Sequence, residues 1–295
     1  MGLVAQVAQS YFELMALDNE LAIVRRTLEA RREGVRLAEI RFKGGLTSEI
    51  VFQQAKVELA KTATMVPDLE RRISLKESEI ALLTGDFPYA VNRNVLPEEI
   101  QLPDALPLGL PSTLLERRPD IRKAERELMA AHAEVGLAYT NMFPRLALTA
   151  TLGAESETLR DLLKSPYSYL AGNLLSPLFA MGKNRAALKA KRAAYEGAVA
   201  EYEKTVLTAF KETHNAIINF NKIKDIYESR RQLAEASRTA VELAQLQYIN
   251  GVIGYLDLLD AQRNYFDAQV SLSNAVCDKQ LMIINLYKAL GGGWK

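Results

Sequence analysis

All ten prolines of this 295-residue chain lie between Pro67 and Pro177. From Leu178 to the end there is none, and the one clear glycine break in that run is GVIG, at Gly251–Gly254. Proline ends or kinks helices by removing an amide donor and clashing with the preceding turn. A long stretch without it that is rich in alanine, leucine, glutamate, lysine and arginine therefore favours helix. Lys183–Tyr248 reads as one helix, roughly 100 Å long at about 1.5 Å per residue. A helix of that length needs partners along its whole course. Ile217, Phe220, Ile223 and Tyr227 form one run at spacings of three and four, and Leu233, Ala236, Ala240 and Leu243 form another. Such spacing makes a seam suited to knobs-into-holes packing, and its alanines suit close approach.

The two ends of the chain repeat each other. A shift of 206 positions lays Arg25 on Arg231, Glu29 on Glu235, Ala30 on Ala236 and Arg32 on Arg238. It lays Ala38 on Ala244, Phe42 on Tyr248, Gly45 on Gly251, Ala55 on Ala261 and Gly85 on Gly291. Shared helical composition can produce scattered matches, but glycines at both the turn and the helix end mark a structural unit. A second helical pair is expected around Lys43–Ser48, from Leu3 to Phe42 and from Glu49 to Leu83, with Pro67 kinking or interrupting the latter. Gly45 and Gly251 suit the left-handed backbone that ends a helix, and Thr47 or Ser48 can cap the next one. The second unit carries an upstream portion that the first lacks. The symmetry thus implies either a truncation of about 120 residues plus any export signal or a natural short form.

Between the repeats the pattern changes. Phe87–Pro111 is proline-spaced and reads as an extended linker. Ser112 or Thr113 can cap a helix running from Pro119 to Asn141, where proline suits the first turn. From Phe143 the period becomes two. Leu146, Leu148, Ala150 and Leu152 fall on one face, and Ala147, Thr149 and Thr151 on the other. ESETLRDLLKSP reads as a loop, and SYLAGNLLSPLF as a second, less tidy strand. Two strands of about ten residues suit a hairpin crossing a bilayer within a barrel, and equally a small hairpin in water. The fold class is mainly α: long antiparallel helical hairpins with one β-hairpin. The expected parts are a helical hairpin over 1–86, a linker over 87–111, a helix over 112–142, a strand hairpin over 143–181, a long helical hairpin over 182–291 and a tail over 292–295.

Charge and motifs narrow the function. A formal net charge of +1 supplies no field for nucleic acid. No stretch approaches the roughly 20 apolar residues of a spanning helix, and the opening MGLVAQVAQSYF shows neither a basic leader nor a cleavage site. The two histidines, His132 and His214, have no metal-ligand or catalytic spacing around them. The single cysteine, Cys277, sits in an apolar helix without a lipobox and reads as a small core residue. The glycines before Trp294 end a helix and do not form a phosphate loop. No cofactor, metal or enzymatic motif emerges. Read without any resemblance, these features fit a soluble elongated coiled-coil scaffold or adaptor protein.

Four long segments carry a family resemblance. ERRPDIRKAERELMAAHAEVGLAYTNMFPRLALTATLG (Glu116–Gly153), LLSPLFAMGKNRAALKAKRAAYEGAVAEYEKTVLTAFKE (Leu174–Glu212), GVIGYLDLLDAQRNYFDAQ (Gly251–Gln269) and LYKALGGGW (Leu286–Trp294) resemble the TolC-like outer membrane factors of tripartite efflux systems. The arginine–proline–aspartate segment resembles the branch that works with RND pumps. The resemblance implies a homotrimer in the outer membrane of a Gram-negative bacterium. Each protomer would give four strands to a twelve-stranded barrel in outer-membrane lipid and its helices to a periplasmic α-helical tunnel. This chain supplies one of the two strand hairpins. Its partners would be a periplasmic adaptor and an inner-membrane RND pump, and its role a passive exit duct for drugs or other small toxic solutes.

The resemblance also assigns sites. The tips Gly45, Leu46, Thr47 and Ser48, and Gly251, Val252 and Ile253, would face the adaptor; read alone, they are good turns. Leu256 and Asp260, four apart on one helix face, match the gate positions of pump-linked members. Asp257 and Asp260 match an acidic ring of TolC-like members. Carboxylates repeated around a threefold axis repel one another and attract cations, giving a cation-preferring constriction. Without an axis they are a solvated acidic face. Tyr248 matches a tyrosine that bonds an acidic residue to hold the tunnel of TolC shut. That acidic position is Val51 here, and a matching arginine is Ile253, so closure would fall to Leu256 and the acidic neck.

Overall fold

A computed structural model describes residues 2–93, 118–155, 157, 166–176 and 178–292. Among these residues the elements follow in the order α1 Gly2–Lys43, α2 Glu49–Thr84, α3 Pro119–Thr140, β1 Arg145–Ala154, β2 Pro166–Leu175, α4 Met181–Ile249 and α5 Tyr255–Ala289, with a 3-10 turn at Leu178–Ala180. The chain divides into two compact units, Met1–Leu110 with Lys211–Lys295, and Pro111–Phe210. The helix expected over Lys183–Tyr248 is α4, unbroken for 69 residues.

The first unit is built on heptad spacing. Leu14, Leu17, Leu21 and Val24 of α1 meet Leu69, Ile73 and Ile80 of α2, and Phe266 of α5 packs against them. Intervals of three, four and seven keep these side chains on one stripe. α2 runs through Pro67 without interruption. The missing amide costs one hydrogen bond, but partly buried Met65 and Val66 and buried Leu69 hold the flanking turns in the core. Val91 is buried in the same cluster, and the Arg93 guanidinium bonds Asp18 at 2.9 Å and Glu77 at 2.6 Å, tying the segment after α2 back onto the hairpin. The rest of the expected linker, the Ser112 or Thr113 cap, most of the loop between the strands, and Trp294 lie outside the described residues.

The backbone bonds that end α1 and α4 repeat with the same shift of 206. At the first turn the amides of Gly44, Gly45 and Leu46 donate to the carbonyls of Ile40, Phe42 and Arg41. At the second, Asn250, Gly251 and Val252 donate to Leu246, Tyr248 and Gln247, the same six positions shifted by 206. Gly45 and Gly251 have φ of 70° and 75°, and Gly85 and Gly291 close their helices at 81° and 83°. The expected side-chain cap does not form. Ser48 occupies the N-cap position of α2 without a capping bond, and the Thr47 hydroxyl is buried with no partner among the described residues. The turn is set by the left-handed glycine and its backbone bonds, which satisfy the preceding helix end without help from a hydroxyl.

One seam on α4 is displaced by a residue from its expected place. Ala234, Ala244 and Tyr248 are the buried positions, whereas Leu233, Ala236, Ala240 and Leu243 are exposed. Both stripes satisfy the helical period. The interior takes the one that places Ala244 against Ala38, its repeat mate, in a single cluster with Ala55, Tyr248, Tyr255, Leu258 and Leu259.

In the second unit, α3 packs on the first part of α4. Asn184 donates to the Asn141 carbonyl at 3.0 Å, Lys191 pairs with Glu134, and the His132 ring lies 5.4 Å from that of Tyr195. Arg118 precedes Pro119 at the start of α3 and forms an ion pair with Asp120 at 2.6 Å. That pairing holds the Asp120 carboxyl below the usual carboxylate range.

The hairpin is antiparallel, with Arg145 opposite Leu175 and Ala154 opposite Pro166. β2 starts and ends earlier than SYLAGNLLSPLF implies, because Pro177 cannot donate to a ladder and β1 offers no partner beyond Arg145. Pairing puts Leu146, Leu148, Ala150 and Leu152 on one face with Leu170 and Leu174, and the leucines among them are exposed. The other face alternates Ala147, Thr149 and Thr151 with Tyr167, Tyr169, Ala171 and Asn173.

Candidate functional site: the α4–α5 tip and neck

The turn between α4 and α5 aims a set of side chains outward. Tyr255, Leu258 and Leu259 face the core, so Leu256, Asp257 and Asp260 take the opposite side of α5. Leu256 is 62% exposed. Together with Ala236, Ser237 and Ala240 of α4, these three line an open groove of about 760 Å³. The two carboxylates have different local partners. Asp257 accepts the Gly254 amide at 3.0 Å, which completes the first turn of α5 and places a negative charge at the positive end of the helix. Asp260 accepts from the Asn264 side chain at 3.2 Å, one helical turn on.

Of the tip residues, Gly45, Leu46, Ser48, Gly251 and Val252 are exposed, Thr47 is partly buried, and Ile253 packs inward against the Tyr248 cluster. Val51 packs there as well. The two substitutions noted in the sequence therefore fill space around Tyr248 with hydrocarbon. The Tyr248 hydroxyl is buried with no hydrogen-bond partner among the described residues. What holds Tyr248 is Arg41, whose guanidinium lies 4.6 Å from the ring centre and donates to the Tyr248 carbonyl at 3.1 Å. The Tyr255 ring packs edge-on at 5.8 Å, and burial pushes its hydroxyl above the ordinary tyrosine range.

A polar cluster above the tip has no forewarning in the sequence. Arg263 of α5 reaches the nearly buried carboxylate of Glu58 on α2, which Lys61 approaches at 3.4 Å. Arg31 of α1 donates to the Gln262 side chain. The hydrogen bond from Arg263 holds the Glu58 carboxyl below the usual range, and the same bond raises the Arg263 guanidinium. The repeat mates of Glu58 and Arg263 are Asn264 and Val57, so these contacts break the internal symmetry and leave no periodic trace.

The remaining sequence candidates sit apart from this site. Cys277 is half-buried on α5, its thiol 3.6 Å from the Phe12 carbonyl and pushed by burial up to about 11. His214 is exposed. Among the described residues no cluster of histidine, cysteine and carboxylate side chains forms a metal site, and no helix is long and apolar enough to cross a membrane.

Within the described residues the chain presents helical hairpins with equivalent tips, an outward apolar stripe on its longest helix, and a strand hairpin with one leucine face. The chain belongs to the outer membrane efflux protein family, whose model matches residues 1–86 and 110–292. It is 34% identical over 303 residues to outer membrane protein OprJ of Pseudomonas aeruginosa, covering 99% of this chain and 62% of that one. It is also 34% identical to the toluene efflux pump outer membrane protein TtgI of Pseudomonas putida, covering 99% and 63%. The solved outer-membrane channel OprN superposes with a TM-score of 0.86 at 31% identity, covering 99% of this chain and 66% of that one. The chain thus spans rather less than two thirds of the curated relatives' length. The family sets it in the outer membrane and disfavours a soluble scaffold.

Proposed function

We propose that three copies of the protein form the outer-membrane exit duct of a tripartite efflux system, and that the neck of the duct is the α4–α5 tip. The observation that carries this reading is the second apolar stripe of α4. Leu233, Leu243 and Leu246 are all more than half exposed, although the helix already satisfies its own chain through Ala234, Ala244 and Tyr248. A stripe that continuous on a helix this long marks a surface for another helix. Neighbouring protomers supply that helix, and the same closure removes the open edges of the strand hairpin.

In this arrangement Leu256 forms an apolar constriction, and Asp257 and Asp260 form carboxylate rings beside it. Cations enter such a neck more readily than anions, because close like charges are relieved by a counter-ion. With Val51 and Ile253 where a polar lock would sit, the resting closure rests on the Leu256 ring, the acidic neck and the packing of Arg41 on Tyr248. The exposed tips at Leu46 and Val252 meet a periplasmic adaptor, which links the duct to an inner-membrane RND pump. The duct catalyses no reaction; the pump supplies the energy for expelling drugs or other small toxic solutes. Planar-bilayer recordings of the protein expressed from its complete reading frame test the neck. Cation-preferring channels that lose that preference in Asp260→Asn, and conduct more in Leu256→Ala, are the expected result. Unchanged selectivity and conductance in both variants would remove the neck from this site.

A further inference from the structure

A second cleft, of about 330 Å³, lies among α1, α4 and α5, with Arg31 in its lining. Arg31 is 7% exposed. Its partner is a neutral amide, Gln262. The nearby carboxylate, Glu58, is engaged by Arg263 and Lys61. Among the described residues no carboxylate lies within ion-pair distance of Arg31. Arg26 stands in the same lining and donates to the Ala22 carbonyl at 3.4 Å, and among the described residues no acidic side chain lines the cleft. Burial of a guanidinium without an anion is costly, since the lost hydration is not replaced. Burial draws the Arg31 guanidinium below the ordinary arginine range, and the charge of nearby Glu58 offsets this only in part.

The rest of the lining is suited to a flat ring. Tyr265 and Phe266 contribute aromatic surface from α5, and Gln245 and Gln269 add amide groups. Small-molecule sites of this size are typically apolar pockets with a few convergent polar groups. A carboxylate matches a guanidinium fork with two parallel hydrogen bonds. We propose that this cleft binds a small aromatic carboxylate, its anion on Arg31 with Arg26 at the side, and its ring against Tyr265 and Phe266. The site stands independently of the duct reading, since its side chains all come from one chain.

The test is equilibrium dialysis of the purified protein against 2-naphthoate, with empty micelles as the blank and neutral 2-naphthalenemethanol as the comparison ligand. Saturable binding is expected, at least tenfold tighter for naphthoate than for the alcohol. Arg31→Gln should weaken it tenfold or more and Arg26→Gln several-fold, while Arg31→Lys retains part of the affinity. Ala30→Phe, which fills the cleft and keeps both arginines, should abolish binding with the thermal transition unchanged, and it serves if Arg31→Gln fails to fold. Equal binding of acid and alcohol, naphthoate bound no better than by empty micelles, or undiminished binding in a folded Arg31→Gln or Ala30→Phe protein would overturn the proposal.

Discussion

The Arg41 guanidinium lies 4.6 Å from the centre of the Tyr248 ring and donates to the Tyr248 carbonyl at 3.1 Å. It joins the end of α1 to the end of α4 just before their two turns. Removing it deletes a partly desolvated cation–π contact and a charge-assisted hydrogen bond. Arg41→Ala should destabilise the protein by about 1–3 kcal/mol, read by chemical denaturation. Arg41→Lys should lose part of this, because an ammonium cannot both stack on the ring and keep the same fork of donors.

Glu58 and Arg263 give a pH dependence of known sign. The Glu58 carboxyl is held below its ordinary range chiefly by the hydrogen bond from Arg263. The folded protein therefore holds that proton less tightly than the unfolded chain does. The stabilisation is complete above the unfolded value of about 4.3 and is lost as pH falls through the lower folded value. Denaturation midpoints of the wild type should drop more steeply than those of Glu58→Gln below about pH 4.5. At pH 7, Glu58→Gln should cost about 1–3 kcal/mol, the half-exposed Arg263 limiting the loss.

Asp257 and Asp260 should separate by experiment although they are three residues apart. Asp257 accepts the Gly254 amide and Asp260 does not. Asp257→Ala should lower stability by about 1 kcal/mol through loss of the helix-start bond. Asp260→Ala should leave stability within about 0.5 kcal/mol. Thermal denaturation of the two variants side by side is the check.

The two turn glycines should respond alike. Gly45 and Gly251 share a left-handed backbone and the same hydrogen-bond pattern. An alanine at either position places a Cβ in a conformation costing about 1–2 kcal/mol. Comparable losses in Gly45→Ala and Gly251→Ala are expected in the same denaturation assay, with no loss beyond about 0.5 kcal/mol in Gly136→Ala, inside α3, where an added Cβ meets nothing within 4 Å.

Much of this was legible in the sequence because it rests on backbone rules. Proline-free length predicted α4, period-two alternation predicted β1, and matched glycines predicted two equivalent turns. Four features are less legible. Thr47 and Ser48 have the chemistry of caps, but whether a hydroxyl bonds an amide depends on a rotamer that the turn decides. Pro67 has the chemistry of a break, but packing at Met65, Val66 and Leu69 outweighs one lost bond. On α4, the stripes through Leu233 and Ala234 are one residue apart and share a period, so only the position of Ala38 and Tyr255 selects which is interior. The Glu58–Arg263 and Arg31–Gln262 contacts were hidden because they join helices far apart in sequence at positions with unlike repeat mates. Leu256, Asp257 and Asp260, the proposed neck residues, are indicated by resemblance, and the structure adds that all three share one groove with Ala236 and Ala240.

If three copies assemble as proposed, the outward stripe of α4 is a protomer–protomer surface. Light scattering of the detergent-solubilised protein, corrected for bound detergent, measures this directly. A particle of three protomers is expected, falling to one in Leu233→Glu/Leu243→Glu with helical content retained. A wild-type particle of one protomer, or a trimer indifferent to both glutamates, would contradict it.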